Sequence, residues 1–204
     1  MIRNIVCDMG MVLLDHDPLL PCLRHAGDRA VAQRLCDELF WHPQWKQMID
    51  GGLMTEKEYL PLAQARLETP ELKALAAEIL KDWHVDGLYP KSGMDTLTGE
   101  LLDKGYRLYI LSNAGYCFHD FSYKIKHLER FSGVLVSAEE KLLKPDPAIY
   151  LRLLEKFRLA PEECLFIDDL QANIDGAQSV GMTGYCYLDG DIARLRSYLD
   201  ALER

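Results

Sequence analysis

The sequence predicts an α/β fold: an open parallel five-stranded sheet core with an inserted helical subdomain after the first strand. Three observations lead there. Five short runs rich in β-branched and aromatic residues recur along the chain: IRNIVC before Asp8, YRLYILS ending at Ser112, GVLVS at 133–137, CLFI at 164–167 and TGYCYL at 183–188. Their near-continuous apolarity suits strands buried on both faces of a parallel sheet, not half-exposed hairpin strands. Helical patterns alternate with the later runs, as crossover connections between parallel strands require. The stretch from about 15 to 88, by contrast, carries helical patterns and no strand-like run.

Taken in order, the first run ends at Asp8, and helical patterns follow at roughly 18–26, 28–40, 43–49, 55–68 and 70–84. Pro43, Gly51-Gly52 and Pro70 punctuate them. Thr55 with Glu58 three residues on forms a capping box. A helix over 93–104 precedes the second run, and Gly105 stops it. Asp146 as N-cap and Pro147 at the first helical position open the next helix. Its body, AIYLRLLEKF, puts Ile149, Leu153, Leu154 and Phe157 along one face. Residues 171–180 form a further helix ending at Gly181, and 190–203 a terminal one. The expected division is a core of 1–14 and 89–204 with a helical cap at 15–88.

Composition narrows the function. Among 204 residues, Lys plus Arg number 23 against 32 Asp plus Glu, a net charge of −9 that repels phosphate backbones and argues against nucleic-acid binding. A phosphate site in such a chain needs dedicated cations or backbone amides. Hydrophobic residues at 49% and charged residues at 27% belong to a globular chain, not a disordered one. No apolar run approaches the ~20 residues of a membrane span. Asp8 interrupts the apolar start, unlike a signal peptide, so a cytoplasmic location is the expectation. Cysteines stand at 7, 22, 36, 117, 164 and 186 with no C-x-x-C pair, and read as free thiols, not as a disulfide or zinc framework.

Open parallel sheets bind ligands beyond the carboxyl ends of their strands. Asp8-Met9-Gly10 follow the first run and Ser112-Asn113-Ala114-Gly115 the second. Lys144-Pro145 sit in the loop beyond the third, and Asp168-Asp169 follow the fourth. Singly, each is an ordinary turn or cap residue. Together they deliver three carboxylates, a hydroxyl and a lysine to one rim. Carboxylates from separate strands suit Mg²⁺, and one that attacks phosphorus would form an aspartyl-phosphate. A serine with neighbouring amides can hold phosphoryl oxygens, and a lysine spreads positive charge over them.

In these motifs the chain resembles, from end to end, the haloacid dehalogenase-like hydrolase superfamily. VCDMGMVLL resembles its strand followed by Asp-x-Asp-x-Thr/Val, and YILSNA its strand followed by Ser/Thr. Lys144 in LLKPDPAIY matches the third-motif lysine, and LFIDDLQANIDGA the strand with its acidic pair. The resemblance implies a Rossmann-like core with a helical cap and a Mg²⁺-dependent phosphatase. Asp8 would be the nucleophile with Lys144 beside it, and Ser112, Asn113 and Lys144 would bind phosphate. Mg²⁺ would be held by Asp8, the main-chain carbonyl of Gly10 and Asp169, with Asp168 behind them or acting through water. LSNA, KPDPAIY, FIDD-x-x-x-N and HPQWKQMIDGGLMTEKEY look like the sugar-phosphatase and epoxide-hydrolase phosphatase-domain subgroup. A small phosphorylated metabolite, a sugar phosphate, is thus the expected substrate.

The chain departs from that pattern at Gly10. The family has an Asp there, which protonates the leaving alcohol and then activates water. Its loss removes acid–base catalysis worth ~10²–10⁴-fold, or roughly 3–5 kcal/mol of barrier. Slow turnover, or a readily departing anomeric or acyl phosphate, would be consistent with that loss. Asp15, His16 and Asp17 are candidates for a substitute acid, His16 by its intrinsic pKa. In the plainer reading Asp17-Pro18 cap the first helix of the insertion and His16 is exposed. His42, His84, His119 and His127 show no metal-ligand spacing. Trp41 and Trp45, four apart, read as packing or as an apolar wall over the substrate. Asp50-Gly51-Gly52 is a turn able to project into the cleft, and Lys46, Lys57 and Arg66 are cations open to a second anionic group. The alternative function is a catalytically impaired phosphate-ligand-binding or regulatory protein. A dehalogenase would not need Asp168-Asp169, and a phosphomutase would need the group missing at Gly10.

Overall fold

The five apolar runs pair into one sheet in the structure, a computed structural model that describes residues 1–202. In chain order the strands are β1 (Asn4–Cys7), β2 (Leu14–His16), β3 (Leu88–Pro90), β4 (Arg107–Ser112), β5 (Gly133–Val136), β6 (Cys164–Asp168) and β7 (Thr183–Cys186). The main sheet runs β5-β4-β1-β6-β7, with every pairing parallel. Side chains alternate across it as strand geometry dictates. Ile5, Cys7, Leu108, Ile110, Leu165 and Ile167 fall in one apolar layer, together with Leu97, Leu101, Leu195 and Leu199 from the helices Met94–Asp103 and Ile192–Leu202. Val6, Tyr109, Leu111 and Phe166 fall in the other, with Ile149, Leu153, Ile174 and Ala177 from the helices Pro147–Phe157 and Gln171–Ser179. Residue 203, the last of the expected terminal helix, lies outside the described residues.

Strand order reverses at β1, with β4 and β5 to one side and β6 and β7 to the other. Beyond the carboxyl end of that strand lies the crevice where open sheets bind ligands. Cys7 pairs with Ile110 and with Ile167, so the next residue, Asp8, enters the crevice level with Asp168.

Residues 15–88 are mostly helical, with helices at Leu19–Ala26, Arg29–Cys36, Glu56–Ala65 and Pro70–Asp82. The Thr55–Glu58 capping box is formed in both directions. Two features differ from the sequence expectation. β2 and β3 pair antiparallel, Leu14 with Pro90 and His16 with Leu88, so the chain enters and leaves the helical segment side by side. Strands of three residues are too short to show a period, and Pro90 further masks the second. The segments 28–40 and 43–49, expected as plain helices, contain π turns at Asp37–Trp41 and Lys46–Asp50. A π turn adds a residue to the turn and rotates the subsequent residues off the 3.6-residue stripe. Together with the extended backbone at His42, it separates Trp41, which is 61% exposed, from Trp45. Trp45 instead packs edge-on against Phe40 at 5.0 Å.

The described cysteines are all free. Among the described residues no helix is long and apolar enough to cross a membrane.

Candidate active site

A buried lysine stands at the centre of the crevice. Lys144 Nζ lies 2.9 Å from Asp8 Oδ1 and 2.7 Å from Asp168 Oδ2, and the lysine side chain is 1% exposed. Asp168 is saturated. Its oxygens also accept from Leu170 N at 2.9 Å and from Asn173 Nδ2 at 2.9 and 3.0 Å. Asp8 is not: both of its donors, Lys144 Nζ and Met9 N at 2.6 Å, fall on Oδ1. Oδ2 is left without a donor among the described residues. Burial raises the Asp8 carboxyl to about 7, Lys144 pulls it down, and Asp168 pushes it up. Burial opposes the charge on Lys144, but the two carboxylates outweigh it and hold the ammonium above its usual range.

Asp169 completes the acidic set. Ligand oxygens of Asp8, Asp168 and Asp169 all lie within 4.8 Å of one another. Burial, then Asp168, raises the Asp169 carboxyl. Three carboxylates against one ammonium leave negative charge uncompensated in a partly dry site. Hard oxygens at this spacing suit Mg²⁺, which takes one or two carboxylates and keeps waters. The residues present therefore fit that ion.

Ser112, at the end of β4, lines the same cavity as Asp8 and is 1% exposed. Asn113 also lines it, but its side-chain oxygen accepts from Lys144 N at 2.8 Å and its Nδ2 donates to Lys144 O at 3.0 Å. Its amide thus positions the lysine, whereas the sequence pointed to a phosphate contact. Gly10 borders the cavity, and a Cβ built on it meets nothing within 4 Å.

Above these residues the cavity, about 410 Å³, is walled by Phe40, Trp45, Trp83 and Phe121, with His16 among them. The His16 ring lies 5.7 Å from Trp83 and 6.4 Å from Trp41, and its Nε2 is buried without a partner. Burial lowers its pKa and so disfavours the charged ring. The plainer sequence reading, with His16 exposed, is thus corrected: the β2–β3 pairing turns it inward. Asp17 accepts from Leu19 N at 3.1 Å just ahead of the first helix, whose N-cap is Pro18, and Asp15 pairs with Lys91 at 2.7 Å. Arg66 is consumed within the helical segment by Glu38, Gln44 and Tyr59, and Lys57 borders a different cavity. Lys46 and Asp50 reach the site cavity.

Sequence reasoning missed Phe40, Trp83 and Phe121 as wall residues, and no local signal marks them. It also missed Ser137, whose hydroxyl donates to Asp50 O at 2.6 Å and accepts from Ala114 N at 3.0 Å.

A family model described as haloacid dehalogenase-like hydrolase matches residues 6–181. The sesquiterpene phosphatase astK of Aspergillus oryzae is 27% identical over 184 residues, covering 89% of this chain and 88% of the relative. Among solved structures, a HAD-like family hydrolase from Porphyromonas gingivalis superposes with a TM-score of 0.74 at 25% identity, over 98% of both chains. A HAD family enzyme from Bacteroides thetaiotaomicron, solved with magnesium and inorganic phosphate, superposes with a TM-score of 0.65 at 24% identity, over 91% of this chain and 94% of that one.

Proposed function

The chain belongs to the haloacid dehalogenase-like hydrolase family, and from that premise we propose that it is a Mg²⁺-dependent phosphatase of a small phosphomonoester, working through an aspartyl-phosphate on Asp8. The observation that carries the reading is the Asp8 carboxylate itself. One of its oxygens is fixed by Lys144 and Met9, and the other is without a donor at the switch point of the sheet.

Oδ2 attacks phosphorus while Lys144 Nζ holds Oδ1 and keeps the carboxylate from rotating. The Ser112 hydroxyl and the main-chain amides that follow it bind the phosphoryl oxygens. Asp168 has no oxygen to spare and acts by anchoring Lys144. Asp8, Asp169 and the Gly10 carbonyl would hold Mg²⁺, which when bound offsets the charge of the carboxylates and of the phosphoryl group. Gly10 itself has no group to protonate the leaving oxygen. The residues 15–88 act as a cap over the core.

The cavity wall refines the substrate. Phe40, Trp45, Trp83 and Phe121 present mainly ring faces, with only the two indole N–H groups among them able to pair with a sugar hydroxyl. A phosphomonoester whose organic part presents an apolar or ring face fits this wall better than the sugar phosphate expected from the sequence. That a relative is named for a sesquiterpene substrate supports the same choice.

The test is phosphate release from a panel of ring, prenyl and sugar monoesters, with and without Mg²⁺, for wild type and Asp8→Asn. Release is expected to need both Mg²⁺ and Asp8 and to favour apolar esters. Full activity in Asp8→Asn overturns the covalent route. Mg²⁺-dependent stabilisation by these esters without phosphate release would favour the binding-protein alternative, which Gly10 alone supports.

A further inference from the structure

On the core side of the cavity, the position that would carry an acid is Gly10, and the space its side chain would fill is open. Lining the same cavity from the helical segment is a carboxyl-bearing residue that the phosphatase reading has not used, Asp50.

Asp50 does not ride on a free lid. It ends the π turn Lys46–Asp50, and its main-chain oxygen accepts from Ser137 Oγ at 2.6 Å. Ser137 is in turn bonded to Ala114, two residues after Ser112. Gly52 presses on the core directly. It has φ +69°, and a Cβ there would lie 2.0 Å from Ala138 O. Tyr116 Oη donates to Gly52 O at 3.0 Å. The turn is therefore fixed relative to the loop after β4 and the short helix Ser137–Glu140 after β5, beside Ser112. Among the described residues the Asp50 carboxyl makes no hydrogen bond and no ion pair.

Burial pushes that carboxyl up to about 8, with Lys46 and Lys144 pulling it down and Glu56 and Asp8 pushing it up. That shift favours the protonated form, the form a general acid must hold. The other candidates are less available. Burial in its aromatic sleeve lowers the pKa of His16 and so disfavours the imidazolium that would donate a proton. Asp15 is paired with Lys91, and Asp17 accepts from Leu19 N.

We propose that Asp50 is the general acid of the reaction, a carboxyl supplied by the helical segment in place of the one missing at Gly10. The inference rests on the phosphatase reading. As Asp8 Oδ2 bonds to phosphorus, the bond from phosphorus to the bridging oxygen breaks. Its electron pair stays on that oxygen, which takes the proton from Asp50 and departs as the alcohol. Asp50, now ionised, accepts a proton from the water that attacks the phosphorus of phospho-Asp8. Phosphate leaves, the Asp8 carboxylate is restored, and Asp50 again holds its proton.

The test compares kcat/KM for two ring esters with opposite needs, in the presence of Mg²⁺. The alcohol of benzyl phosphate leaves poorly unless protonated, whereas 2,4-dinitrophenolate leaves unaided. Asp50→Asn is expected to lose ~10²–10⁴-fold on benzyl phosphate and less than about 10-fold on 2,4-dinitrophenyl phosphate. Adding Gly10→Asp to Asp50→Asn is expected to recover at least about 10-fold on benzyl phosphate, a rescue that a purely structural role for Asp50 would not produce. Wild type, which needs no variant to fold, is expected to show a shallow dependence of kcat/KM on leaving-group pKa across substituted phenyl phosphates. Equal losses on both esters, no loss on benzyl phosphate, or a steep wild-type dependence overturns the assignment. Those results leave the phosphatase reading standing as long as Asp8→Asn is inactive. Silence on every ester, the dinitrophenyl one included, defeats both.

Discussion

Asn113 grips the main chain of Lys144 from both sides, accepting from its N–H at 2.8 Å and donating to its carbonyl at 3.0 Å. The two residues are 31 apart in sequence and come from different loops. One amide thus fixes where the buried ammonium emerges between Asp8 and Asp168.

Asn113→Ala should therefore impair activity without touching the chemistry. Two buried main-chain groups lose their partners, at about 1–3 kcal/mol each. Thermal unfolding is expected to shift downward and kcat to fall ~10-fold or more. Wild-type kcat in a correctly folded variant would mean that the Lys144 main chain is fixed by other contacts.

Lys144→Met removes the ammonium that lies between two buried carboxylates. Breaking one side of a buried ion pair costs about 3–5 kcal/mol. Denaturant titration should register that loss, and turnover should vanish. Pairing Lys144→Met with Asp168→Asn should return part of the stability and none of the activity. A double variant less stable than the single would contradict the electrostatic account.

The Asp50 carboxyl gives stability a definite pH slope. Its folded pKa is about 8, raised by burial, against the ordinary carboxylate range when unfolded. Between those values the folded state holds a proton that the unfolded state has released, so stability falls as pH rises from about 4 to 8. The groups acting on Asp50 are Lys46, Glu56, Asp8 and Lys144. Unfolding free energies over this range should decline less steeply in Asp50→Asn than in wild type. Identical slopes would show that Asp50 ionises normally.

Gly52→Ala tests the contact between the helical segment and the core. A positive φ and a Cβ at 2.0 Å from Ala138 O both oppose the substitution. The turn must lift off the core, taking Asp50 with it. Activity on benzyl phosphate should fall more than activity on 2,4-dinitrophenyl phosphate. Parallel losses on the two esters would detach the turn from proton transfer.

Much of this arrangement could be read from the residues in order. The five strands announce themselves as buried apolar runs, and Asp8, Ser112, Lys144 and Asp168-Asp169 emerge as the polar residues at the strand ends. Helix starts such as Thr55 with Glu58 and Asp146 with Pro147 are equally local. The features that escaped detection depend on contacts between distant segments or on broken periods. β2 and β3 are three residues each and exist only as a pair. The π turns defeat a 3.6-residue reading, so the placement of Trp41 and Asp50 could not be projected from spacing. Arg66 looked available because its partners Glu38 and Gln44 lie on another turn of the helical segment. The turn at Asp50 is legible from Gly51-Gly52, but its carboxyl acquires a role only once Ser137 and Ala138 fix it in place.

The β2–β3 ribbon has a consequence for how such a chain can change. The pairing of His16 with Leu88 brings the two ends of a roughly seventy-residue excursion to neighbouring-strand distance, ~4.8 Å. A replacement whose ends meet at that spacing leaves the strand order of the sheet unchanged, but must also cover the apolar residues that the helical segment shares with the core. The ribbon is a grafting point, and Gly52 against Ala138 is the second seam that a transplanted segment must match to bring its own chemistry to Asp8.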